Sequence, residues 1–386
     1  MLNPPGMANR IPVCAPVFSG KERAYVLEAV DSGWISSAGE FIGRFEASFA
    51  KLCGVRHVET CANGTVALHL LLHAMGIGPG DEVIVPSETF AASANAVVYC
   101  GGTPVFCEID DGSWVLDVND ALSRVTPKTK AIMGVDLFGV VADYDGLRAG
   151  LAKMGRSDVK LVEDSAESAG SSVRGRLAGS LADAAIFSFF GNKTITTGEG
   201  GAIATDDLAL GARCKFLKNH GMDQKRKYFH PELGFNYRMT NLQAAIGCAQ
   251  VEAAADLCAR KKRIGARYRK ALEGVAGVRF AKVPQGQDVV PWLHAIVDDT
   301  LDGEESRDAL MARMLEQGVE TRPFFAPMHL FPYLSKTPVA GLGALPISER
   351  IASKGVCLPS GGGLADDEID RTVEVLLACR NERARR

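Results

Sequence analysis

The 386-residue chain carries 43 Lys and Arg against 46 Asp and Glu, for a formal net charge of −3, with 47% hydrophobic and 23% charged residues. That composition suits a globular protein with a sizeable core. It gives no electrostatic case for nucleic acid or an anionic membrane surface as a partner. No run approaches the roughly 20 apolar residues of a membrane span, and the first residues lack the apolar stretch of a signal peptide. The ten cysteines form no Cys-x-x-Cys pair and no Cys/His cluster at zinc spacing. No metal site is therefore expected. Cysteines scattered through apolar runs behave as small hydrophobes and point to a reducing, cytoplasmic location.

Residues 57–61 read as a strand and 64–76 as the helix after it. A second strand is expected at 81–86, a helical turn over 93–101, and a strand from 103. "TKAIMGVDL", "VKLVEDS", "DAAIFSFF" and "GGAIAT" follow as further strands. These runs are short, continuous and rich in Val, Ile and Phe, as in strands covered on both faces. Strand–helix alternation predicts an α/β fold with a mostly parallel sheet between helical layers. Beyond about residue 207 the pattern turns helical. Residues 239–274 read as one long helix, or as two with a break. A shorter α+β segment follows, with a strand near 292–298, a helix near 306–317 and a last helix from about 366. The expected division is a large domain over 11–250 and a small C-terminal domain over 251–386.

In open parallel sheets, ligands bind beyond the carboxyl ends of the strands. The residues at those ends are complementary. Gly64 and Thr65 open a helix, whose free N–H groups and positive dipole end suit a phosphate. Ser188 adds a hydroxyl. Asp164 can hold a protonated ring nitrogen, Phe90 can cover a ring face, and Lys193 can form a Schiff base with an aldehyde. Phosphate, pyridinium, ring face and aldehyde together describe pyridoxal 5′-phosphate (PLP). Each residue alone has an ordinary reading, as a solvated lysine, a turn or cap aspartate, a helix start or a core phenylalanine. Their placement on one predicted sheet edge is what singles them out. Two other motifs fail. "GNKT" ends like a P-loop, but Asn192 separates Gly191 from Lys193 and the upstream glycine is missing. "GIGPG" (76–80) falls between a helix and the next strand, the wrong order for a dinucleotide fingerprint, and reads as a surface turn.

"NGTVALHL", "PGDEVIVPSETFAASANAV", "VEDSAES", "SFFGNKTITTGEGG" and "ELGFNYRMTNLQAAIG" resemble the DegT/DnrJ/EryC1/StrS family of PLP-dependent sugar aminotransferases, over nearly the whole chain. The resemblance implies the aspartate-aminotransferase-type fold (fold type I), PLP as cofactor and a homodimer with shared active sites. It assigns Lys193 as the Schiff-base lysine and Asp164 as the pyridinium partner. Gly64, Thr65 and Ser188 become phosphate ligands, Phe90 the ring cover, and Glu167 the group on the ring-hydroxyl side, where many relatives carry Gln or His. Asn236 is implied to reach the phosphate in the other subunit. Asn63 stands where relatives often have Ser. Lysine rather than histidine at 193 favours transamination over dehydration. The implied reaction moves an amino group from L-glutamate to a keto sugar linked to a nucleotide. "WISSAGEFIGRFE", "FFGNKTITTGEGG", "YFHPELGFNYRMTN" and "ETRPFFAPMH" are most similar to the branch acting on a GDP-linked 4-keto-6-deoxymannose. A dTDP- or UDP-sugar, a cyclitol ketone, or a PLP-binding module without turnover are the competing readings. Trp34, Arg238, Arg322 and His329 are substrate-side candidates. Arg238 is open between a donor carboxylate and an internal acid, and His329 between a ligand and an ordinary loop histidine.

Overall fold

The structure, a computed structural model, describes residues 10–334 and 344–384. Its main sheet has seven strands. In spatial order they are His57–Cys61, Gly201–Thr205, Ala184–Ser188, Lys160–Asp164, Thr129–Val135, Glu82–Pro86 and Thr103–Cys107. Gly201–Thr205 runs antiparallel to both neighbours, and every other pairing along the sheet is parallel. The strands expected from the apolar runs are all present, shorter by a residue or two at their ends. The "GIGPG" stretch is a turn with Gly76 and Gly80 at positive φ, between the helix Gly64–Ala74 and the strand Glu82–Pro86.

Both faces of the sheet are covered, which is why the strands lack polar alternation. Val83, Val85, Met133, Val162, Ile186 and Ile203 pack with Leu68 and Leu71 on one side. On the other, Ile84, Ile132 and Leu161 pack with Tyr144 and Leu147. Phe45 and Phe49 come from the helix Glu40–Cys53, with the four-residue spacing that puts both on one face. Phe49 meets the rings of Phe187 and Phe189 edge-on at 4.8 and 4.9 Å. These contacts hold down the strand from which the Lys193 loop departs.

The helical stretch after residue 239 is two helices, Asn241–Glu252 and Ala254–Ala271, with Ala253 between them. Thr240 opens the first through a capping box with Gln243. A second, four-stranded antiparallel sheet joins Val278–Arg279, His294–Asp298, Gly355–Leu358 and Arg322–Pro323. The N-terminal segment packs beside this sheet, where Ile11 makes an isolated bridge to Val319 and shares a core with Ile296 and Val356. Trp292, Phe324 and Cys357 share a core cluster with Ile84 and Val105 of the main sheet. That shared packing sets residues of the second sheet over the carboxyl ends of the first. No helix among the described residues is long and apolar enough to cross a membrane.

Candidate active site

The chain leaves the strand His57–Cys61 and enters the helix Gly64–Ala74 at once. Asn63 caps it, its side chain accepting from Val66 N at 3.0 Å. The backbone N–H groups of a helix's first residues have no intrahelical acceptor, so those of Gly64 and Thr65 point out of the helix start. Two glycines make this start accessible. A Cβ at Gly64 would lie 3.0 Å from Ser188 Cβ, and one at Gly201 would lie 2.5 Å from the Asn63 carbonyl carbon. Without side chains there, the helix start, Ser188 and the antiparallel strand close around one spot.

Asp164 ends its strand, 4% exposed. Ser93 Oγ donates to its Oδ2 at 2.8 Å and Ala166 N to its Oδ1 at 3.2 Å. Thr89 extends this chain of hydroxyls, 2.9 Å from Ser93 Oγ. Burial raises the proton affinity of the Asp164 carboxyl, and the Ser93 bond opposes it. Glu167 lies one turn further on. Phe138 N donates to its Oε2 at 2.9 Å, and Lys193 Nζ stands 3.5 Å from its Oε1. Burial pushes Glu167 up to about 7, against the pull of Lys193.

Lys193 sits in a turn closed by its N–H donating to Phe190 O at 2.9 Å. Its amine lies over the Trp292 ring, 3.6 Å from the centroid. Burial moves the amine below its ordinary range, while Glu167 and Asp164 resist. A lysine with this bias holds its free base more readily than a solvated one, as a nucleophile requires.

Gly64, Thr65, Phe90, Asp164, Glu167, Ser188, Lys193 and Arg322 all line one cavity of about 640 Å³, within the range of ligand pockets. Phe90 is half exposed at the rim, with Phe325 edge-on at 5.6 Å. The donor set fits PLP. An anion cradle that a single Cβ would fill, a buried carboxylate and a buried amine open into the same space.

Four expected residues lie elsewhere. Trp34 is exposed and lines a surface hollow with Glu28 and Phe41. Its carbonyl accepts from Asn241 Nδ2 at 2.7 Å. Arg238 donates to Asn236 Oδ1 at 2.9 Å and Asn219 Oδ1 at 2.8 Å, so neither an internal acid nor this chain's cavity holds it. Asn236, tied into the same group, is likewise off the cavity wall. His329 is wedged between Ser87 Oγ at 2.6 Å and Glu349 at 3.1 Å. It ties the end of a main-sheet strand to the helix Pro346–Lys354.

The sequence reading missed Ser93, Phe138, Trp292 and Phe325. Ser93 had a signal, since Thr89 and Ser93 are four apart at a strand end where a helix begins. Phe138 and Trp292 had none, because what they touch is remote in sequence.

This fold and site define a fold type I, PLP-dependent aminotransferase. Residues 17–377 match the DegT/DnrJ/EryC1/StrS aminotransferase family, and the chain belongs to it. It is 46% identical to the GDP-perosamine synthase of Caulobacter vibrioides over 95% of this chain and 97% of that one. It is 42% identical to the GDP-perosamine synthase of Vibrio cholerae over 93% and 96%. Its fold is similar to the PLP form of the sugar aminotransferase Spr1654 from Streptococcus pneumoniae, with TM-score 0.90 and 26% identity over 97% of this chain and 99% of that one.

Proposed function

We propose that the protein transfers an amino group from L-glutamate to C4 of GDP-4-dehydro-6-deoxy-D-mannose, giving GDP-perosamine. The observation that carries this reading is the convergence of Lys193, Asp164, Ser188 and the Gly64–Thr65 helix start on one cavity. Identity of 46% to a protein named for that product supports the choice of sugar.

Bound PLP would supply an aldehyde carbon to carry the nitrogen and a ring to take up electron density. The chain supplies the rest. The N–H groups of Gly64 and Thr65 and the Ser188 hydroxyl hold the phosphate. Asp164 would keep a proton on the ring nitrogen, and Ser93 steadies its carboxylate. Glu167 and Phe90, on the wall of the same cavity, would help to hold the ring, Glu167 on its hydroxyl side and Phe90 over its face. Lys193 Nζ takes the proton from the donor's α-carbon and delivers it on the other side of the exchange. Arg322 is the cation available on the cavity wall for a substrate anion.

The assembly in this reading is a cytoplasmic homodimer, with Asn236 serving the partner's phosphate site. Its position off the local cavity and its bond to Arg238 are compatible with that. In the same reading, Trp34 and His329 stay substrate-side candidates, and the chain divides near residue 250.

The test is amination of purified nucleotide keto-sugars with glutamate, read by product mass. GDP-4-dehydro-6-deoxy-D-mannose should gain an amino group. Turnover of a dTDP- or UDP-keto sugar or a cyclitol ketone instead, with the GDP compound untouched, overturns the substrate assignment and leaves the family standing.

A further inference from the structure

Trp292 meets the Lys193 loop twice. Its ring lies against the amine, 3.6 Å from Nζ to the centroid. Its indole Nε1–H donates to the Asn192 carbonyl at 3.0 Å, which also accepts from Cys14 Sγ at 3.3 Å. The side chain is 5% exposed. Phe138 and Phe325 flank it with nearly parallel rings, 6.4 and 6.5 Å away. Its backbone carbonyl accepts from Lys261 Nζ at 2.7 Å, and that ammonium also donates to Ser360 O at 2.7 Å. The ring is thus fixed from its edge, from both flanks and from its own backbone. Phe138, which stacks near it, also donates the backbone N–H that holds Glu167.

We propose that Trp292 is a positioning residue for Lys193: its ring face is the resting place of the free amine, and its indole N–H fixes the loop from which that amine swings. The functional meaning rests on Lys193 being the cofactor-bonding lysine. A lysine that bonds the cofactor, releases it and then carries a proton must stay close between those events. A bare apolar pocket would hold it only as the free base, and open water would let it wander. An aromatic face attracts the ammonium form while keeping water away. It therefore offsets part of the cost of burial without pinning the amine as firmly as a close carboxylate would.

The charged and titratable groups around the amine are few. Glu167 and Asp164 face it from the main sheet, and Cys14 from the N-terminal segment. Lys261 faces it from the helix Ala254–Ala271, and Arg322 shares the cavity wall. The two acids favour the ammonium, and burial and Lys261 oppose it. The ring face adds to the side of the acids.

The experiment uses the full chain freed of PLP. Trace labelling with acetic anhydride across pH, resolved by peptide mass spectrometry, reads the midpoint at which Lys193 becomes reactive. Trp292→Phe keeps an aromatic face, whereas Trp292→Met and Trp292→Leu keep apolar bulk without one. The midpoint should stay close to the parent in Trp292→Phe and fall by about one unit in the other two. A common shift in all three, or a rise in Trp292→Met and Trp292→Leu, overturns the ring-face role, since a rise would mean that the indole only excludes water. All three lose the indole N–H. The rate of the absorbance change on mixing with PLP should therefore drop about fivefold in each, and an unchanged rate overturns the loop-fixing role. Borohydride reduction of the PLP-loaded parent, followed by peptide mapping, tests the underlying reading separately. Label on a lysine other than Lys193 would sink that reading and leave the labelling result intact.

Discussion

Lys193 and Arg238 are both cations in loops, and the fold treats them oppositely. Lys193 is buried, 12% exposed at its side chain, with Glu167 at 3.5 Å and the Trp292 ring beneath it. Arg238 belongs to a partly exposed polar group with Asn219, Asn236 and His220. Among the described residues it makes no ion pair with an acid. Around Lys193 the removal of water makes proton affinity adjustable. A guanidinium stays charged in almost any setting and serves recognition rather than proton transfer. The strand ends of this chain supply the residues that line the first site. The second offers its polar atoms outward, as a group completed by another molecule would.

The sharpest break in that comparison is Lys193→Ala. Amination should fall by about 10⁴-fold or more, because both the bond to the aldehyde and the proton transfer are lost with the amine. Product mass from timed assays checks it, and retained activity would return Lys193 to the class of ordinary loop lysines. Ser188→Ala should leave the fold intact and weaken PLP binding about tenfold, the loss of one bond to a charged acceptor. An absorbance titration reads that change.

Glu167→Gln tests whether the carboxylate, rather than shape alone, sets the amine's bias. Since Glu167 favours the ammonium, its loss should lower the Lys193 labelling midpoint by a fraction of a unit. The same variant carries a stability signature. With the folded value raised from 4.5 to about 7, the PLP-free native state holds a proton here that the unfolded chain has lost. This group's contribution to stability therefore falls as pH rises through that window. Urea unfolding at pH 5 and pH 8 should show the parent losing stability relative to Glu167→Gln at the higher pH. Parallel curves would mean that Glu167 is ionised throughout.

Arg238→Ala has the smallest expected effect. Its unfolding free energy should stay within about 0.5 kcal/mol of the parent, as for other exposed polar groups, while PLP affinity drops a few-fold through the loosened Asn236. Unchanged affinity would separate this polar group from cofactor binding altogether.

The strands were legible because continuous apolar runs bounded by turn residues have few other uses. The helix start at Gly64 was legible because a Gly-Thr pair just after a strand opens the next helix. His329 shows where such reading stops. Its neighbours look like a binding loop, yet the imidazole is spent on Ser87 and Glu349. Nothing local distinguishes a histidine facing substrate from one bridging two elements. Whether 239–274 forms one helix or two with a break stayed open for a related reason. Ala253 and its neighbours are good helix formers with no Gly or Pro among them, so no breaker residue marks the interruption.

By itself the sequence determined the alternation of strands and helices, the strand-end loops, and hence the amine, carboxylate, hydroxyl and helix start available for a phosphorylated aldehyde. Short-range steric and hydrophobic preferences suffice for that, since each acts over a few residues. Only the tertiary structure decided that Trp292, about a hundred residues away, lies beneath Lys193. The same holds for Ser93 on Asp164 and for Asn236 and His329 lying off the cavity. The Trp292 placement depends on how the two sheets share one core, the Ser93 contact on the order of strands in the main sheet, and close packing couples such distant segments in a way that no local pattern encodes.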